Sequence, residues 1–239
     1  NLPSMSIKYQ AYLMNGFNGY DGTANLSGKY GLRKGRQKGA ESYISTPNFA
    51  GKVEYYGILG LNLGFSAYLG NTQSVLYDGI DRNNSSAKAK ADSSVVGISM
   101  FGLDARYRIG GMQMKGQLYY TSLSNTKEYN AFTSVNGESN DLGSSMFGYY
   151  LEAGYDVFHN NSNIKTQLIP FVRYSNYDTQ FTTEGDIQDN DAYAKNVITA
   201  GINLKLTQGS AFKTDIQFLK SQDKDEFSKQ FNMGIAFWF

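Results

Sequence analysis

Several features are scarce or missing in this 239-residue chain, which contains no Cys and only 3 Pro, 1 His and 1 Trp. The absence of Cys excludes a disulfide-stabilised scaffold. The chain also lacks any run of about 20 apolar residues, the length that a helix needs to cross a membrane. The mean hydropathy is -0.44, so the apolar side chains are spread through polar sequence rather than gathered into blocks.

The chain also has no large excess of charge of one sign, because 22 Lys and Arg nearly balance 21 Asp and Glu. Nucleic-acid binding would need a concentrated basic face, so no nucleic-acid partner is predicted. The chain has no phosphate-binding Gly-rich loop before a helix, no Cys or His metal cluster and no GxSxG motif. The single histidine, His159, lies in a predicted turn. The sequence therefore predicts no enzyme activity, no catalytic residue, no metal and no cofactor.

Two polar segments are predicted to be flexible, solvated loops. One is the Ser/Ala/Lys-rich NNSSAKAKADSS (83–94), and the other is the acidic EGDIQDND (184–191). The acidic segment carries carboxylates of the kind that bind Ca²⁺, but it lacks the spacing and the glycine of a known calcium loop.

What the chain does have is a regular alternation of apolar and polar side chains. In LNLGFSAYL (61–69), Leu61, Leu63 and Phe65 point to one side, and Asn62 and Ser66 point to the other. A period of two is typical of a β-strand with one apolar face. Near 168–174 the faces are blurred around a proline, which predicts a bulge. The alternation recurs in ten stretches: 6–14, 51–57, 61–69, 101–109, 112–120, 147–157, 168–174, 198–206, 212–218 and 231–239.

The connections between these stretches alternate between long and short. Long outer loops and short periplasmic turns are the layout of an outer-membrane barrel, and closure leaves no strand edge unpaired in lipid. Strands of a soluble sandwich also alternate, but the polar face here is rich in Gly, Ser, Asn, Gln and Tyr, as suits a wet lumen. We predict an all-β fold, an antiparallel up-and-down transmembrane β-barrel of at least ten strands, in the outer membrane of a Gram-negative bacterium. It is a single domain (1–239) with long outer loops near 15–50, 70–94, 122–145 and 175–196.

The last stretch, FNMGIAFWF, ends in an aromatic residue. Its ending is similar to the sorting signal that the barrel-assembly machinery reads in Gram-negative bacteria. That machinery is therefore a predicted partner during biogenesis, together with outer-membrane lipid and lipopolysaccharide. The predicted assembly signal consists of Phe231, Met233, Ile235, Phe237 and Phe239.

The polar face carries the candidate functional residues, because a charge on the lipid face costs about 2–4 kcal/mol at the midplane. A moderately cationic wall predicts a path for small anions. A basic cluster in the first long loop, GLRKGRQKG, could fold into the mouth and raise the local anion concentration, or it could neutralise lipopolysaccharide phosphates. The lumen candidates are Arg106, Arg108, Lys115, Arg173, Lys205 and Lys213, and the loop cluster is Arg33, Lys34, Arg36 and Lys38.

Six segments carry a resemblance to a family. YQAYLMNGFNG, GLRKGRQKG, GKVEYYGILGLNLGFSAYLGNT, PFVRY, VITAGINLKLTQGSAFKTDIQFLK and FNMGIAFWF resemble the C-terminal portion of phosphate-selective porin O/P-type outer-membrane proteins of the Bacteroidetes type. The resemblance implies a 16-stranded channel, often trimeric, that passes phosphate or other small anions. The ten strands would then be the C-terminal ten, and the family's main constriction loop would lie in the part that precedes them. The family has a positively charged lumen, and the resemblance implies that Arg106, Arg108, Lys115 and Arg173 contribute to such a lumen here.

A different geometry remains open. Ten strands could close alone, and the interior would then be nearly filled by side chains, since an aqueous channel is typical at 16 to 18 strands. Such a narrow barrel would act as a structural, adhesive or partner-binding protein through its outer loops, or as a subunit of an outer-membrane complex.

Overall fold

The computed structural model describes residues 5–81 and 83–238. Its main feature is one antiparallel sheet of ten long strands, and two short strands form a separate parallel pair. The short strands are β2 (Asn18–Tyr20) and β5 (Gln73–Ser74). The long strands are β1 (Ile7–Asn15), β3 (Pro47–Ile58), β4 (Leu61–Asn71), β6 (Gly97–Ile109), β7 (Met112–Ser124), β8 (Ser145–Tyr155), β9 (Gln167–Thr182), β10 (Ala194–Thr207), β11 (Ser210–Ser221) and β12 (Ser228–Phe237).

Neighbours in the sheet are neighbours in the chain, apart from the two short strands. The strand order is β1-β3-β4-β6-β7-β8-β9-β10-β11-β12, and every pair is antiparallel. The prediction of an all-β, antiparallel, up-and-down fold with at least ten strands is confirmed. Within the described residues, β1 pairs only with β3 and β12 only with β11, so each keeps one edge without a strand partner.

Glycines with a left-handed backbone close two of the tight hairpins. Gly60 (φ 78°) lies between β3 and β4, and Gly110 (φ 54°) lies between β6 and β7. Side chains other than Gly rarely adopt this conformation, and it suits the short turns of β-hairpins. The alternating pattern and these turns together fix the register of the neighbouring strands.

All ten predicted stretches correspond to strands, but several strands run further toward the long connections than the alternation predicts. The largest difference is at the predicted loop 175–196, because β9 continues to Thr182 and β10 already begins at Ala194. The long connections are loop 1 (16–46), loop 2 (72–96), loop 3 (125–144) and loop 4 (183–193), and a shorter one runs from 222 to 227.

The predicted bulge around Pro170 is wrong. The register between β9 and β10 runs without a shift from Gln167 to Asp178. The pairing of β8 with β9 begins at Phe171, so Pro170, which has no N–H to donate, lies just beyond the part that β8 pairs. The irregularity of β9 is further along, where the pairing with β8 shifts between Asp178 and Thr182.

The sheet has two unlike faces, as the alternation predicts. On the apolar face, large side chains are exposed; for example, Leu13 is 79% exposed, Phe65 47% and Phe231 65%. The opposite, polar face carries the charged side chains of the strands. Burying an exposed apolar face is favourable in proportion to its area, so this sheet needs an apolar environment on one side.

The largest buried cluster lies at the loop end of the sheet. Leu26 and Leu32 of loop 1 and Tyr129 and Leu142 of loop 3 are buried there together with side chains of β6 and β7. Loop 2 contains the helix α1 (Ser85–Ser93) and loop 3 the helix α2 (Thr126–Phe132). One-turn 3-10 helices lie at Arg33–Gly35, Gly39–Glu41, Val75–Tyr77 and Asp191–Tyr193.

The interpretation of 83–94 as a flexible loop is therefore wrong. Asn84 caps α1 by accepting a hydrogen bond from the N–H of Ala87 at 3.0 Å, and Ala91 is fully buried. Asn at the N-cap and Ala and Lys within the helix favour this conformation. Neither helix among the described residues has the length and apolar composition of a membrane-spanning helix.

Candidate functional site

The centre of the polar face places charged residues of four neighbouring strands in one row. Arg106 on β6 pairs with Lys115 on β7, Lys115 with Glu152 on β8, and Glu152 with Arg173 on β9. Directly opposed residues on one face of an antiparallel pair lie close together. The fold therefore places three of the predicted lumen residues in one row, two of which, Lys115 and Arg173, contact the same carboxylate.

Glu152 is the carboxylate at the centre of this row. Its Oε1 accepts a hydrogen bond from Lys115 Nζ at 2.9 Å, and its Oε2 accepts one from Arg173 Nε at 2.9 Å. The guanidinium of Arg173 also stacks over the ring of Tyr150, 4.5 Å from the centroid. Charge-assisted hydrogen bonds are stronger than neutral ones, so Lys115 and Arg173 are held against the wall and partly neutralised.

Other charged residues on this face are paired in a similar way. Lys52 bridges Glu54 and Asp104, with both N–O distances at 3.0 Å. Lys213 lies 3.9 Å from Asp215 and 4.6 Å from the ring centroid of Phe171. These contacts leave Lys213 more weakly paired than Lys115 or Arg173.

Three of the predicted lumen residues make no ion pair within residues 5–81 and 83–238, namely Arg106, Arg108 and Lys205. The charges that act on Lys205 are those of Arg108, Lys115 and Asp156, so two of the three are positive. Positive charges therefore outnumber negative charges in this part of the polar face.

Apolar side chains complete the site. Ile169 and Phe171 point to the polar face and are buried, and they help to line a cavity of about 60 Å³ next to Glu152 and Lys213. Sequence reasoning did not single them out, although the break in alternation around Pro170 marks their position. The ring of Tyr150 was also missed, and an aromatic residue on the polar side of the alternation is the signal that could have found it.

The basic cluster of loop 1 lies at the loop end of the polar face. Arg33, Lys34, Arg36 and Lys38 are all exposed. The Lys34 ammonium is 3.9 Å from the ring centroid of Tyr30, a cation–π contact. Arg36 lines a cavity of about 380 Å³, so the cluster is separate from the row around Glu152.

The predicted assembly signal forms one exposed side of the last strand. Phe231, Met233, Ile235 and Phe237 are between 65% and 74% exposed, all on the apolar face of β12. Phe239, the fifth residue of the predicted signal, lies outside the described residues.

The polar residues of the turns and loops have local structural contacts. His159 lies beside Gly110 and Gly111 of the neighbouring turn, and its N–H donates to the Asp156 carbonyl at 3.1 Å. In loop 4, Glu184 accepts a hydrogen bond from Thr126 Oγ1 at 2.8 Å. No group of three or more possible metal ligands is found in the part of the chain that the structure describes.

Comparison with known proteins gives distant similarities. No family model matches the chain. An uncharacterized protein of Aquifex aeolicus (strain VF5) is 22% identical over 236 residues; the match covers 97% of this chain but only 50% of that protein. The chain thus spans half the length of the curated relative that it matches. The resemblance to phosphate-selective porins stays a prediction.

Two solved structures are among those that match this chain. An anion-selective porin from Comamonas acidovorans matches with a TM-score of 0.47 and 16% identity over 96% of this chain and 55% of that chain. LpxR from Salmonella typhimurium matches with a TM-score of 0.32 and 11% identity over 81% of this chain and 72% of that chain. Among solved structures, this chain is thus similar to an anion-selective porin and to LpxR.

Proposed function

We propose that this chain forms part of the wall of an outer-membrane diffusion channel for small anions. The observation that carries the proposal is the contrast between the two faces of the sheet. One face exposes large apolar side chains, and the other carries Arg106, Arg108 and Lys205, which have no ion-pair partner among the described residues. A wall of this kind suits lipid on one side and water with dissolved anions on the other.

The dimensions of the strands support a position in the membrane. A spanning strand needs roughly 9 to 11 residues, and the long strands have from 9 residues in β1 to 16 in β9. Each pair of neighbours satisfies its backbone groups by antiparallel pairing, as lipid requires. The apolar face would then contact outer-membrane lipid, and the loop end would lie on the outer side with lipopolysaccharide.

The arrangement of charges suggests how anions would be favoured. Lys115 and Arg173 are pinned by Glu152 at 2.9 Å, so their main role would be to shape the wall. Arg106, Arg108 and Lys205 would attract passing anions and bind them weakly enough for release, as conduction requires. Phosphate fits such groups because guanidinium and ammonium donors form charge-assisted hydrogen bonds with its oxygens.

The finer parts of the proposal follow from the sequence resemblance. Phosphate would be one of the solutes, the transport would be passive, and the complete protein could assemble as a homotrimer or within a larger outer-membrane complex. The apolar side of β12 would be read by the barrel-assembly machinery during insertion. Neither catalysis nor a cofactor has a role in this function.

The test is the ion selectivity of the complete protein in a planar lipid bilayer. Replacing Arg106→Gln together with Arg108→Gln should lower the permeability ratio of chloride to potassium, read from the reversal potential in a salt gradient. One unit charge about 8 Å from an ion in water is worth about 0.5 kcal/mol. The two charges together are worth about 1 kcal/mol of attraction for chloride and about 1 kcal/mol of repulsion for potassium. The double variant should therefore lower the ratio by up to about thirtyfold at low salt, and by less where salt screens the charges.

The matched control removes two positive charges away from the polar face. Lys220 lies at the loop end of β11 beside Phe227, and Lys224 is exposed in the following connection. Lys220→Gln with Lys224→Gln should leave the reversal potential unchanged. Equal reversal potentials for the wild type and the Arg106/Arg108 variant would remove these arginines from the mechanism.

A partner-binding role is the second candidate, and the buried cluster of the outer loops favours it. Leu26 and Leu142 are fully buried where loops 1 and 3 meet, so the loop end has a defined shape that a partner could recognise. The same bilayer recording separates the two candidates. A complete, folded protein that conducts no ions would point to the loops instead of the polar face.

A further inference from the structure

Loop 1 does not extend away from the sheet but crosses the polar face at its loop end. Its buried Leu26 and Leu32 belong to one cluster with Ile98 of β6 and Leu123 of β7, and Met146 of β8 packs against this cluster. All three strand residues point to the polar face. The loop therefore passes from β1 across the inner side of several strands.

Hydrogen bonds connect Gly28 of loop 1 to β9 and loop 3. The Gly28 N–H donates to Asp141 Oδ1 at 2.8 Å, and the Gly28 carbonyl accepts from Thr179 Oγ1 at 2.5 Å. Tyr193 also donates to Asp141, at 2.6 Å. Hydrogen bonds to charged groups stabilise more than neutral ones, so this contact holds the loop firmly.

The backbone of the loop lies directly against the wall at two glycines. A Cβ atom added at Gly28 would lie 2.5 Å from the Asp141 carbonyl oxygen, and one at Gly31 would lie 3.2 Å from the sulfur of Met146. Gly31 also has a left-handed backbone, with φ 52°. Only glycine readily allows so close an approach in the left-handed conformation of Gly31, which explains the first glycine of the basic segment.

The fastened loop leaves one of its basic side chains facing an open space on the polar face. Arg36 lines the cavity of about 380 Å³ together with Phe17 and Tyr68. A second cavity of about 230 Å³ continues past Tyr68 and includes Lys52. Tyr68 of β4 lines both cavities, so they lie next to each other on the polar face, one beside loop 1 and the other further along the strands.

Arg36 differs from its neighbours in what its side chain contacts. Its Nε donates to the Arg33 carbonyl at 3.2 Å, which orients the guanidinium. Within residues 5–81 and 83–238, its terminal nitrogens make no hydrogen bond and it has no ion pair. Lys34, by contrast, rests on Tyr30. Arg36 therefore keeps donors available beside the cavity.

We infer that loop 1 narrows the outer mouth of the channel and that Arg36 is the residue which selects anions at this narrowing. The inference rests on the proposed function and adds a second selecting position, separate from the basic region around Arg106 and Arg108. An anion would meet the Arg36 guanidinium first and would then pass Lys52 toward the lower part of the wall.

The experiment uses Arg36→Cys in the complete protein, since this chain contains no other Cys. The substitution should lower the chloride-to-potassium permeability ratio by up to about fivefold at low salt, because removing one unit charge weakens chloride attraction and relieves potassium repulsion by about 0.5 kcal/mol each. A cationic methanethiosulfonate reagent with a trimethylammonium group should restore the ratio, and an anionic one with a sulfonate group should lower it further. Both reagents should reduce the single-channel conductance, because they add bulk at the narrowing.

The control places the same cysteine at Lys224, which is exposed in the connection between β11 and β12. Neither reagent should change conductance or selectivity there. If both reagents leave the Arg36→Cys channel unchanged while the Arg106/Arg108 variant still shifts selectivity, the inference is overturned and the proposed function stands. If the wild-type protein does not conduct, both are overturned.

Discussion

At the scale of single residues, the role of a charged side chain depends on its ion-pair partners as much as on the face of the sheet to which it points. Lys115 and Arg173 share the Glu152 carboxylate, whereas Arg106 and Arg108 have no carboxylate partner among the described residues. All four were predicted to point to the polar face from alternation alone. Their pairing could not be predicted, because it depends on which residues of neighbouring strands stand opposite each other.

Tyr129 is a second residue whose role depends on contacts with residues far away in the sequence. Tyr129 is fully buried; its hydroxyl donates to the Gly19 carbonyl at 2.6 Å and accepts from the Leu26 N–H at 3.3 Å. It thus fastens loop 3 to loop 1. The sequence separation of 103 residues between Leu26 and Tyr129 explains why no local pattern revealed this contact.

We predict that Tyr129→Phe loosens loop 1, because a buried carbonyl and a buried N–H lose their partner, at a cost of about 1–3 kcal/mol. The readout is the rotational mobility of a fluorophore attached at Lys38→Cys, an exposed position of the same loop. The variant should show higher mobility at neutral pH. Tyr12→Phe on β1, a position whose side chain is exposed, is the matched control and should leave the mobility unchanged.

The same contact predicts a dependence on pH. Burial raises the pKa of Tyr129 from 10.0 to about 12, so the folded loops favour the protonated hydroxyl. The contribution to stability is complete below pH 10 and is lost as the pH rises through about 12. Fluorophore mobility in the wild type should therefore increase over this window. The increase should be smaller in Tyr129→Phe, although Tyr43 and Tyr193, whose pKa values are also raised to about 12, still contribute.

At the scale of elements, the ten long strands could be predicted because a period of two is a local property of the sequence. Their loop ends could not, since β9 continues through Gln180, a polar residue whose side chain contacts loops 3 and 4. The packing of loop 1 could not be predicted from the sequence either. Leu26 and Leu32 are isolated apolar residues in a glycine-rich segment, without any period that marks them as buried.

The last strand provides a prediction about its apolar face. Met233 is 68% exposed in the middle of β12, and a Lys in lipid at the midplane costs about 2–4 kcal/mol. Met233→Lys should therefore weaken folding of the complete protein into lipid vesicles by about this amount. Urea titration, followed by the mobility shift of the folded barrel in gel electrophoresis, measures the change.

The adjacent residue serves as the control for β12. Asn232 points to the polar face and donates to Asp215 Oδ1 at 2.9 Å, so a lysine there keeps an acidic partner. Asn232→Lys should fold nearly as well as the wild type. Similar losses in both variants would mean that the two faces of β12 do not differ in environment.

At the scale of the whole molecule, the two free edges of the sheet require completion. The outer edges of β1 and β12 present backbone groups without strand partners among the described residues, and such edges are not tolerated in lipid. We expect further strands of the complete protein to pair with them. A barrel closed by direct pairing of β1 with β12 is the competing arrangement.

Cross-linking distinguishes these arrangements. Gln10→Cys on β1, combined with single cysteines along β12, should give no product with a short bis-maleimide in the complete protein. Gln10→Cys with Lys52→Cys is the positive control, because these two residues are directly paired. Efficient linkage of β1 to any position of β12 would show that the ten strands close by themselves.

If the loop end faces the outside of the cell, as proposed above, the hydrogen bonds between loops 1 and 3 determine the surface that other molecules meet there. Residues from both loops meet around Tyr129 and Asp141, so the surface there is composite and depends on the fold. Antibodies or bacteriophages that bind this surface would read a conformational epitope. Antisera raised against a linear peptide of 17–46 should therefore recognise denatured protein well and intact cells poorly.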